Sequence, residues 1–292
     1  MTEPLPPHLA GRPFLVSAAG ADGVARSRTR AKDLVAPFRG VRMPVEKVTT
    51  KRLCTALALR MSPEQFFSHH TAAKLHGLPV DEGPIHVSAF APTREPRVAG
   101  VIGHRVAPGS ARVVTVDGLR VASAVDAWVS LASSDSLTRV VMVGDALLRR
   151  KNPIATISEM EQAVAAAAGA RGARRLRRAM GLVRPRTDSP RETLIRLWLL
   201  WAGLPEPDVN RAILDDRGRF VAYGDLVFAQ YRVLVEYDGE HHFSAEQALL
   251  DVDRLEKIMA QGWRVVRINR THSQHTTVAL VRTALVKAGW RP

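Results

Sequence analysis

The chain has 292 residues and a formal net charge of +14 at pH 7, from 42 Lys and Arg residues against 28 Asp and Glu residues. Its length exceeds one ordinary hydrophobic core, so two or three domains are expected, and a hydrophobic fraction of 46% is typical of a globular protein. The sequence has no uncharged apolar run of about 18 residues, which argues against a membrane protein, and its single Cys54 excludes an internal disulfide and a cysteine zinc cluster.

The first residues, MTEPLPPHLAGRP, are rich in proline and lack the apolar stretch of a secretory signal, so we expect a cytoplasmic protein. Most of the excess positive charge lies in residues 1–180, which hold 26 Lys and Arg against 14 Asp and Glu. A basic surface of this size favours a polyanionic partner, most often DNA or RNA. The alternative explanation is the general composition of an arginine-rich protein.

Residues 13–44 predict a short helix, a turn at Gly20 and Gly23, a second helix and a small β-wing in PFRGVRMP. This order is typical of a compact winged helix-turn-helix, whose second helix enters the major groove of DNA. An ordinary small helical cap is the alternative. On the first interpretation, the side chains expected to contact DNA are Arg26, Arg28, Arg30, Lys32, Arg39 and Arg42.

The next segment predicts a mixed α/β domain. Ser68 is placed to cap a helix that ends at Gly77 and Pro79. IHVSAF and the stretch Val101–Val106 predict strands, and VVTVDGLRVAS predicts a hairpin with an Asp-Gly turn. Further helices are predicted at 123–132, at 136–149 and over the run EMEQAVAAAAGARGARRLRRAM.

Three histidines of this segment, His69, His70 and His76, raise the question of a metal site. Helix capping and helix packing explain them more simply, so the sequence does not favour metal binding there. ARRLRRAM is interpreted as a solvated helical face, with phosphate binding as a second interpretation.

The last segment opens with SPRETLIRLWLLWAGLP, in which Ser189 is the N-cap, Pro190 the first helical residue and Glu192 the acid of a capping box. Glu192 also shares a helix face with Ile195 and Leu199, so its carboxylate is placed at the end of the stripe that packs on the core. Both a capping role and an active-site role are open for it.

RFVAYGDLVFAQYRVLVEYDG predicts two antiparallel strands. Asp225 interrupts the first strand, and Glu236 and Asp238 end the second on one face. Acids at the end of a buried strand are costly unless they bind something, and Mg²⁺ or Mn²⁺ takes such oxygen ligands. The alternative is that the acids pair with nearby arginines: Arg232, Arg254 or Arg267.

Two resemblances cover nearly the whole chain. The segments GVARSRTR…FRGVR, SHHTAAKLHGLP and VDGLRVASAVDAWVSLA resemble the N-terminal half of many actinobacterial proteins related to AbiEi-type antitoxins, which pair a winged helix with a mixed α/β domain. The last segment is similar to the Vsr-like branch of the PD-(D/E)XK nucleases. Together they imply three domains: a winged helix-turn-helix module at 1–50, an α/β domain at 51–180 and a restriction-endonuclease-like α/β core at 181–292.

The nuclease resemblance implies a site. The pattern is an acid on the first helix, an aspartate on the second strand and E-x-K on the third, matched here by Glu192, Asp225 and Glu236 as ligands of Mg²⁺ or Mn²⁺. Asp238 stands where the family has lysine. The catalytic residues implied are Glu192, Asp225, Glu236, Asp238, His241, His242 and Arg254, of which the last three are the candidates to move a proton or to stabilise charge, and the downstream motifs are matched by Asp251, Gly262, Trp263 and Arg267.

Two functions remain open on the sequence. The first is a metal-dependent DNA endonuclease, acting in DNA repair or defence, with DNA as its partner. The second is a non-catalytic, DNA-binding transcriptional regulator of the antitoxin type, which keeps the nuclease fold as a scaffold. The sequence leaves a homodimer and a toxin partner open.

Overall fold

The computed structural model describes residues 3–45, 48–215, 217–239 and 245–292, with side chains described except at 245–252. The chain forms two compact units, Met1–Ser134 and Asp135–Pro292. Both units combine helices with a β-sheet, which confirms the α/β class. The three-domain division stays a prediction, and the boundary between the compact units lies elsewhere, at 134/135. No helix in the described part of the chain is long and apolar enough to cross a lipid bilayer.

The N-terminal unit begins with a small antiparallel sheet. Its strands are β1 (Phe14–Leu15), β2 (Leu34–Val35) and β3 (Val41–Pro44), and β3 lies in the middle. The short helix α1 (Val16–Ala21) follows β1 directly. Strands β2 and β3 form an antiparallel hairpin where the sequence predicted a wing.

The second helix predicted for the basic segment is wrong. The structure has only a single 3-10 turn there, at Arg28–Arg30. The segment offers no apolar stripe at helical spacing, so an α-helix would bury nothing against the core. Arg28 instead folds back onto Asp33, with Nη1 and Nη2 at 2.9 and 2.8 Å from the two carboxylate oxygens.

The rest of the N-terminal unit is built on a five-stranded mixed sheet. Its strands are β4 (Gln65–Phe67), β5 (Ile85–Phe90), β6 (Val101–Val106), β7 (Val113–Val116) and β8 (Leu119–Ala122), in the order β6-β5-β4-β8-β7. The accompanying helices are α2 (Thr50–Ala58), α3 (His69–Leu75) and α4 (Ala124–Leu131).

Most local predictions for this sheet are confirmed. Both predicted strands form, and Asp117 and Gly118 adopt φ values of 49° and 78°, as the Asp-Gly turn of a β-hairpin requires. The predicted role of Ser68 is wrong, because Ser68 stands at the N-cap position of α3 but its side chain makes no capping bond. Its hydroxyl accepts a hydrogen bond from Ser88 Oγ at 2.7 Å instead.

The C-terminal unit starts with four helices. These are α5 (Leu137–Leu147), α6 (Ile157–Ala166), α7 (Ala173–Leu182) and α8 (Pro190–Trp201). The run predicted as one helix is broken between α6 and α7, where Gly172 adopts a left-handed φ of 90°. A buried ion pair joins α5 to α8, with Arg196 Nη2 2.8 Å from Asp145 Oδ2.

A four-stranded sheet follows these helices. Its strands are β9 (Asp208–Leu214), β10 (Phe220–Phe228), β11 (Val233–Asp238) and β12 (Arg264–Asn269), in the order β12-β11-β10-β9. Two more helices belong to it, α9 (Ala245–Ala260) and α10 (Gln274–Lys287). Strand β10 is antiparallel to β9 and β11, whereas β11 and β12 are parallel. The predicted strand pair β10–β11 is confirmed.

Alternation along β11 gives the sheet two buried faces. Val233 and Val235 pack with Ile195 of α8 and Leu285 of α10 in one hydrophobic cluster. Leu234 belongs to a second cluster, which includes Ile258 of α9. Since side chains of a strand alternate between faces, Glu236 continues the face of Leu234, towards α9.

Candidate active site

Glu192 lies in the first turn of α8 and is only 5% exposed. Ser189 caps the helix by accepting from the Glu192 backbone N–H at 3.3 Å. The predicted capping box also requires the Glu192 carboxylate to accept from the backbone N–H of Ser189, and this part of the prediction is wrong. The carboxylate accepts instead from the backbone N–H of Asp188, at 3.0 Å, and from the Ser189 hydroxyl, at 2.8 Å. Asn210 Nδ2 of β9 adds a third bond at 2.8 Å.

These three bonds do not compensate for the burial of Glu192. Burial and then the negative charge of Asp225 raise the pKa of Glu192 to about 7, against the lowering effect of its hydrogen bonds. A carboxyl group with such a pKa exchanges its proton near neutral pH. Burial and the charge of Asp225 thus distinguish Glu192 from an exposed capping acid.

Asp225 and Glu236 face each other across the antiparallel strands β10 and β11. The register pairs Leu226 with Val235, which makes Asp225 and Glu236 the next residues along the ladder. Asp225 Oδ2 accepts from the backbone N–H of Tyr237 at 2.9 Å. Burial is the main cause that raises the pKa of Asp225, and burial followed by the charge of Asp225 raises the pKa of Glu236 to about 7. The two carboxylates thus form one electrostatic unit.

Arginines hold two of the predicted site acids. Arg254 of α9 reaches Glu236 with both terminal nitrogens, at 3.0 and 3.4 Å, and Arg267 Nε of β12 lies 2.8 Å from Asp238 Oδ2. The alternative of arginine pairing is therefore realised for these two acids, whereas Arg232 donates to the carbonyl of Gln261. Glu236 is buried, and Asp238 is 37% exposed at the edge of the site.

Further arginines and aromatic rings surround the carboxylates. The guanidinium of Arg150 lies 4.7 Å and that of Arg186 5.8 Å from the centre of the exposed Tyr223 ring. Arg150 also pairs with Asp188, whose charge acts on Asp225. Arg191, beside Glu192, lies over the rings of Trp198 and Tyr237.

The predicted residues are thus partly assembled. Glu192, Asp225, Glu236 and Arg254 come together, and Asp238 lies at the edge. His241 and His242 lie outside the described residues, as does the side chain of Asp251. Sequence reasoning missed the residues that support the site, which are Arg150, Arg186, Asp188, Arg191, Asn210 and Tyr223. Tyr223 and Asn210 stand in β10 and β9, and the sequence carries no signal that β9 borders Glu192.

The predicted DNA-contacting residues of the N-terminal unit divide into two groups. Arg28 is buried and bound to Asp33, and Arg42 Nε donates to the Thr29 carbonyl at 2.6 Å, so both guanidinium groups have partners within the unit. Their contact with DNA stays a prediction. The others are exposed, namely Arg26, Arg30, Lys32 and Arg39.

Fold and site together define a mixed α/β protein with a buried carboxylate cluster in its C-terminal unit. No family model matches the chain. Two proteins of Mycobacterium tuberculosis, the uncharacterized protein Rv2248 of strain H37Rv and the uncharacterized protein MT2308 of strain CDC 1551, are each 30% identical over 202 residues, which covers 68% of this chain and 72% of the relative. The chain belongs to the family of these two proteins.

A solved structure, the crystal structure of the RV2827C protein from Mycobacterium tuberculosis, is similar at a TM-score of 0.39 and 15% identity. The similarity covers 70% of this chain and 83% of that chain. A TM-score of this size is too low to define a shared fold.

Proposed function

We propose that the chain is a Mg²⁺- or Mn²⁺-dependent DNA endonuclease whose site is Glu192, Asp225 and Glu236. The observation that carries the proposal is the placement of Asp225 and Glu236 on adjacent strands, both in a buried setting that raises their pKa values. Burying acids so close together is unfavourable for folding unless their charge is used. The resemblance to the PD-(D/E)XK nucleases concerns the same three positions.

The donor set suits a hard divalent cation, because all three groups offer carboxylate oxygens on adjoining elements. Asp225 and Glu236 would bind the ion, with Glu192 near enough for the charge of Asp225 to act on it. When bound, Mg²⁺ supplies Lewis-acid stabilisation of phosphate charge and lowers the pKa of water. Arg254 would have to exchange its bond with Glu236 for one with the substrate, which is a role that guanidinium groups often take towards phosphate.

The protein groups around the site fit the remaining tasks. Glu192 can accept or release a proton near pH 7, because its pKa is raised to about 7. The exposed ring of Tyr223 and the guanidinium groups of Arg150 and Arg186 against it form an aromatic, positively charged surface that suits a nucleic-acid strand. His241 and His242 follow β11 in sequence and are further candidates for proton transfer. An enzyme with this substrate would act in the cytoplasm.

The proposal is tested by incubating supercoiled, linear and mismatched DNA with the purified chain and Mg²⁺ or Mn²⁺. We expect nicking or cleavage that needs the cation and is lost in Asp225→Asn. The matched control is Asp208→Asn, which changes an exposed aspartate of the neighbouring strand β9. Cleavage that is equal in Asp225→Asn and the wild type would contradict the proposal.

A second candidate is a DNA-binding regulator without catalytic activity. The observation that favours it is the pairing of Glu236 with Arg254 and of Asp238, at the position of the family's lysine, with Arg267. Under this alternative, DNA binding would persist in every acid variant, and no divalent metal would support cleavage by the wild type.

A further inference from the structure

A second cluster of ionisable groups lies in the N-terminal unit, apart from the carboxylates. His69, His86 and His104 each offer a ring nitrogen, and these nitrogens all lie within 4.8 Å of one another. Each ring is partly buried. From the sequence, we compared His69, His70 and His76 and interpreted them as packing residues. That interpretation fits His76, whose Nε2 lies 2.8 Å from the carbonyl oxygen of Ala122.

The topology of the five-stranded sheet explains why the three rings meet. In the parallel pair β5–β6, His86 is opposite Ile102, so His104 stands two residues further along the same face. His69 is the first residue of α3, directly after β4, which is antiparallel to β5. The backbone N–H of Ser68 donates to the carbonyl of His86 at 3.1 Å, which fixes the start of α3 beside β5.

The rings are in close contact. The rings of His69 and His104 stack with centres 3.8 Å apart, and His86 Nδ1 lies 2.9 Å from His104 Nε2. Burial, and then the neighbouring imidazoles, lower the pKa of His69 to about 3, and burial lowers the pKa of His104. Three imidazole nitrogens held this close together can bind one common ion.

The backbone of His69 is strained. Its φ of 50° lies in the left-handed region, which costs a residue other than glycine about 1–3 kcal/mol. The Ser68 side chain is also placed to orient His69 as a metal ligand. His69 Nδ1 lies 3.0 Å from the Ser68 hydroxyl, which can accept its proton and leave Nε2 for a metal.

We propose that His69, His86 and His104 form a binding site for one divalent transition-metal ion, Zn²⁺ in the first place. Three imidazoles suit Zn²⁺, Co²⁺, Ni²⁺ or Cu²⁺ and not Mg²⁺, so the site differs in metal class from the carboxylates. Two nitrogens bound tetrahedrally to Zn²⁺ at about 2.0–2.1 Å lie about 3.3 Å apart. Binding therefore requires the His86–His104 nitrogens to separate by about 0.4 Å and any nitrogens further apart, within the 4.8 Å span of the cluster, to move closer. It leaves a fourth position for water or another ligand.

The site is tested with untagged, metal-free protein titrated with Zn²⁺ against a chromophoric chelator. We expect one Zn²⁺ per chain with a Kd of about 1 μM or tighter, and visible absorption when Co²⁺ replaces Zn²⁺. His86→Gln and His104→Gln should each weaken binding at least about 10-fold. The matched control is His275→Gln, which changes an exposed histidine of α10 and should bind Zn²⁺ as the wild type does.

Two further measurements separate the histidine site from the carboxylate site and cover the case of a variant that does not fold. Asp225→Asn should keep the Zn²⁺ affinity, which separates this site from the carboxylates. If a histidine variant does not fold, imidazole ¹⁵N NMR of the wild type replaces it, and the ring signals of His69, His86 and His104 should shift together on addition of Zn²⁺. The proposal is overturned if the wild type binds no Zn²⁺ at this affinity, if folded His104→Gln binds it unchanged, or if these ring signals do not move.

Discussion

At the scale of single residues, the carboxyl groups of Glu192 and Glu236 link folding to pH. Burial raises the pKa of each to about 7 from an ordinary value of 4.5. The folded chain therefore keeps protons that the unfolded chain releases, so the free energy of unfolding should fall as pH rises from about 4.5 to about 7. The metal-free protein is more stable on the acidic side of this window as far as these two groups are concerned.

We expect Glu236→Gln to remove part of this dependence. Relative to the wild type, the variant should gain about 1–3 kcal/mol between pH 5 and pH 8, because a neutral amide is not penalised by burial next to Asp225. The measurement is chemical denaturation in EDTA at a series of pH values. Glu161→Gln on α6, where the glutamate is exposed, is the control and should follow the wild type. An equal pH slope in Glu236→Gln and the wild type would refute the assignment.

At the scale of secondary-structure elements, one buried polar network centred on Asp145 connects α5 to α8. Asp145 of α5 is fully buried and accepts from Arg196 Nη2 and Thr193 Oγ1, both at 2.8 Å, and from the backbone N–H of Arg184, also at 2.8 Å. Arg196 is equally buried, and removal of Asp145 leaves its charge with only the longer 3.3 Å ion pair to Glu206.

Asp145→Ala should therefore lower the free energy of unfolding by about 3–5 kcal/mol. The matched control is Asp208→Ala, which breaks the exposed pair with Arg211 and should cost about 0–1 kcal/mol. Urea denaturation of the two variants gives both values. A loss below about 1 kcal/mol for Asp145→Ala would mean that the network does not hold α5 in place.

The elements differ in how far the sequence predicts them. Strands β10 and β11 and the Asp-Gly hairpin were predicted because alternation and turn chemistry are local signals. The helix over the basic segment was wrongly predicted, because a charged run gives helix propensity without an apolar face to bury. The contact between Asn210 and Glu192 joins residues 18 apart and depends on β9 passing α8, and Asn210 adopts a left-handed φ of 45°. The histidine cluster depends likewise on the order of the strands.

At the scale of the whole molecule, the positive charge is shared between the two compact units. The unit Met1–Ser134 holds 17 Lys and Arg against 10 Asp and Glu, and Asp135–Pro292 holds 25 against 18, so each carries a net charge of +7. Part of the second excess lies on α7, where Arg174, Arg177 and Arg178 are exposed. Phosphate contacts are therefore expected from both units.

DNA affinity should fall with salt, with a slope of log affinity against log salt of about −0.9 for each phosphate contacted. Substituting Arg26, Arg30 and Lys32 together by Gln should make this slope shallower. Arg28 is left unchanged because it holds Asp33. The same change at Arg174, Arg177 and Arg178 is the matched comparison for the C-terminal unit. Fluorescence anisotropy at several salt concentrations measures both, and an affinity independent of salt would contradict the electrostatic account.

The central claim is that the buried carboxylates of the C-terminal unit cut DNA with a divalent cation. The most direct test is the rate at which supercoiled DNA is nicked in Mg²⁺ by the wild type and by Glu236→Gln, with DNA binding of both measured in Ca²⁺ or EDTA. We expect Glu236→Gln to bind DNA like the wild type and to nick it at least about 100-fold more slowly, since a group that acts on the transition state is lost. Equal nicking rates, or a wild type that binds DNA and nicks it with neither Mg²⁺ nor Mn²⁺, would contradict the claim.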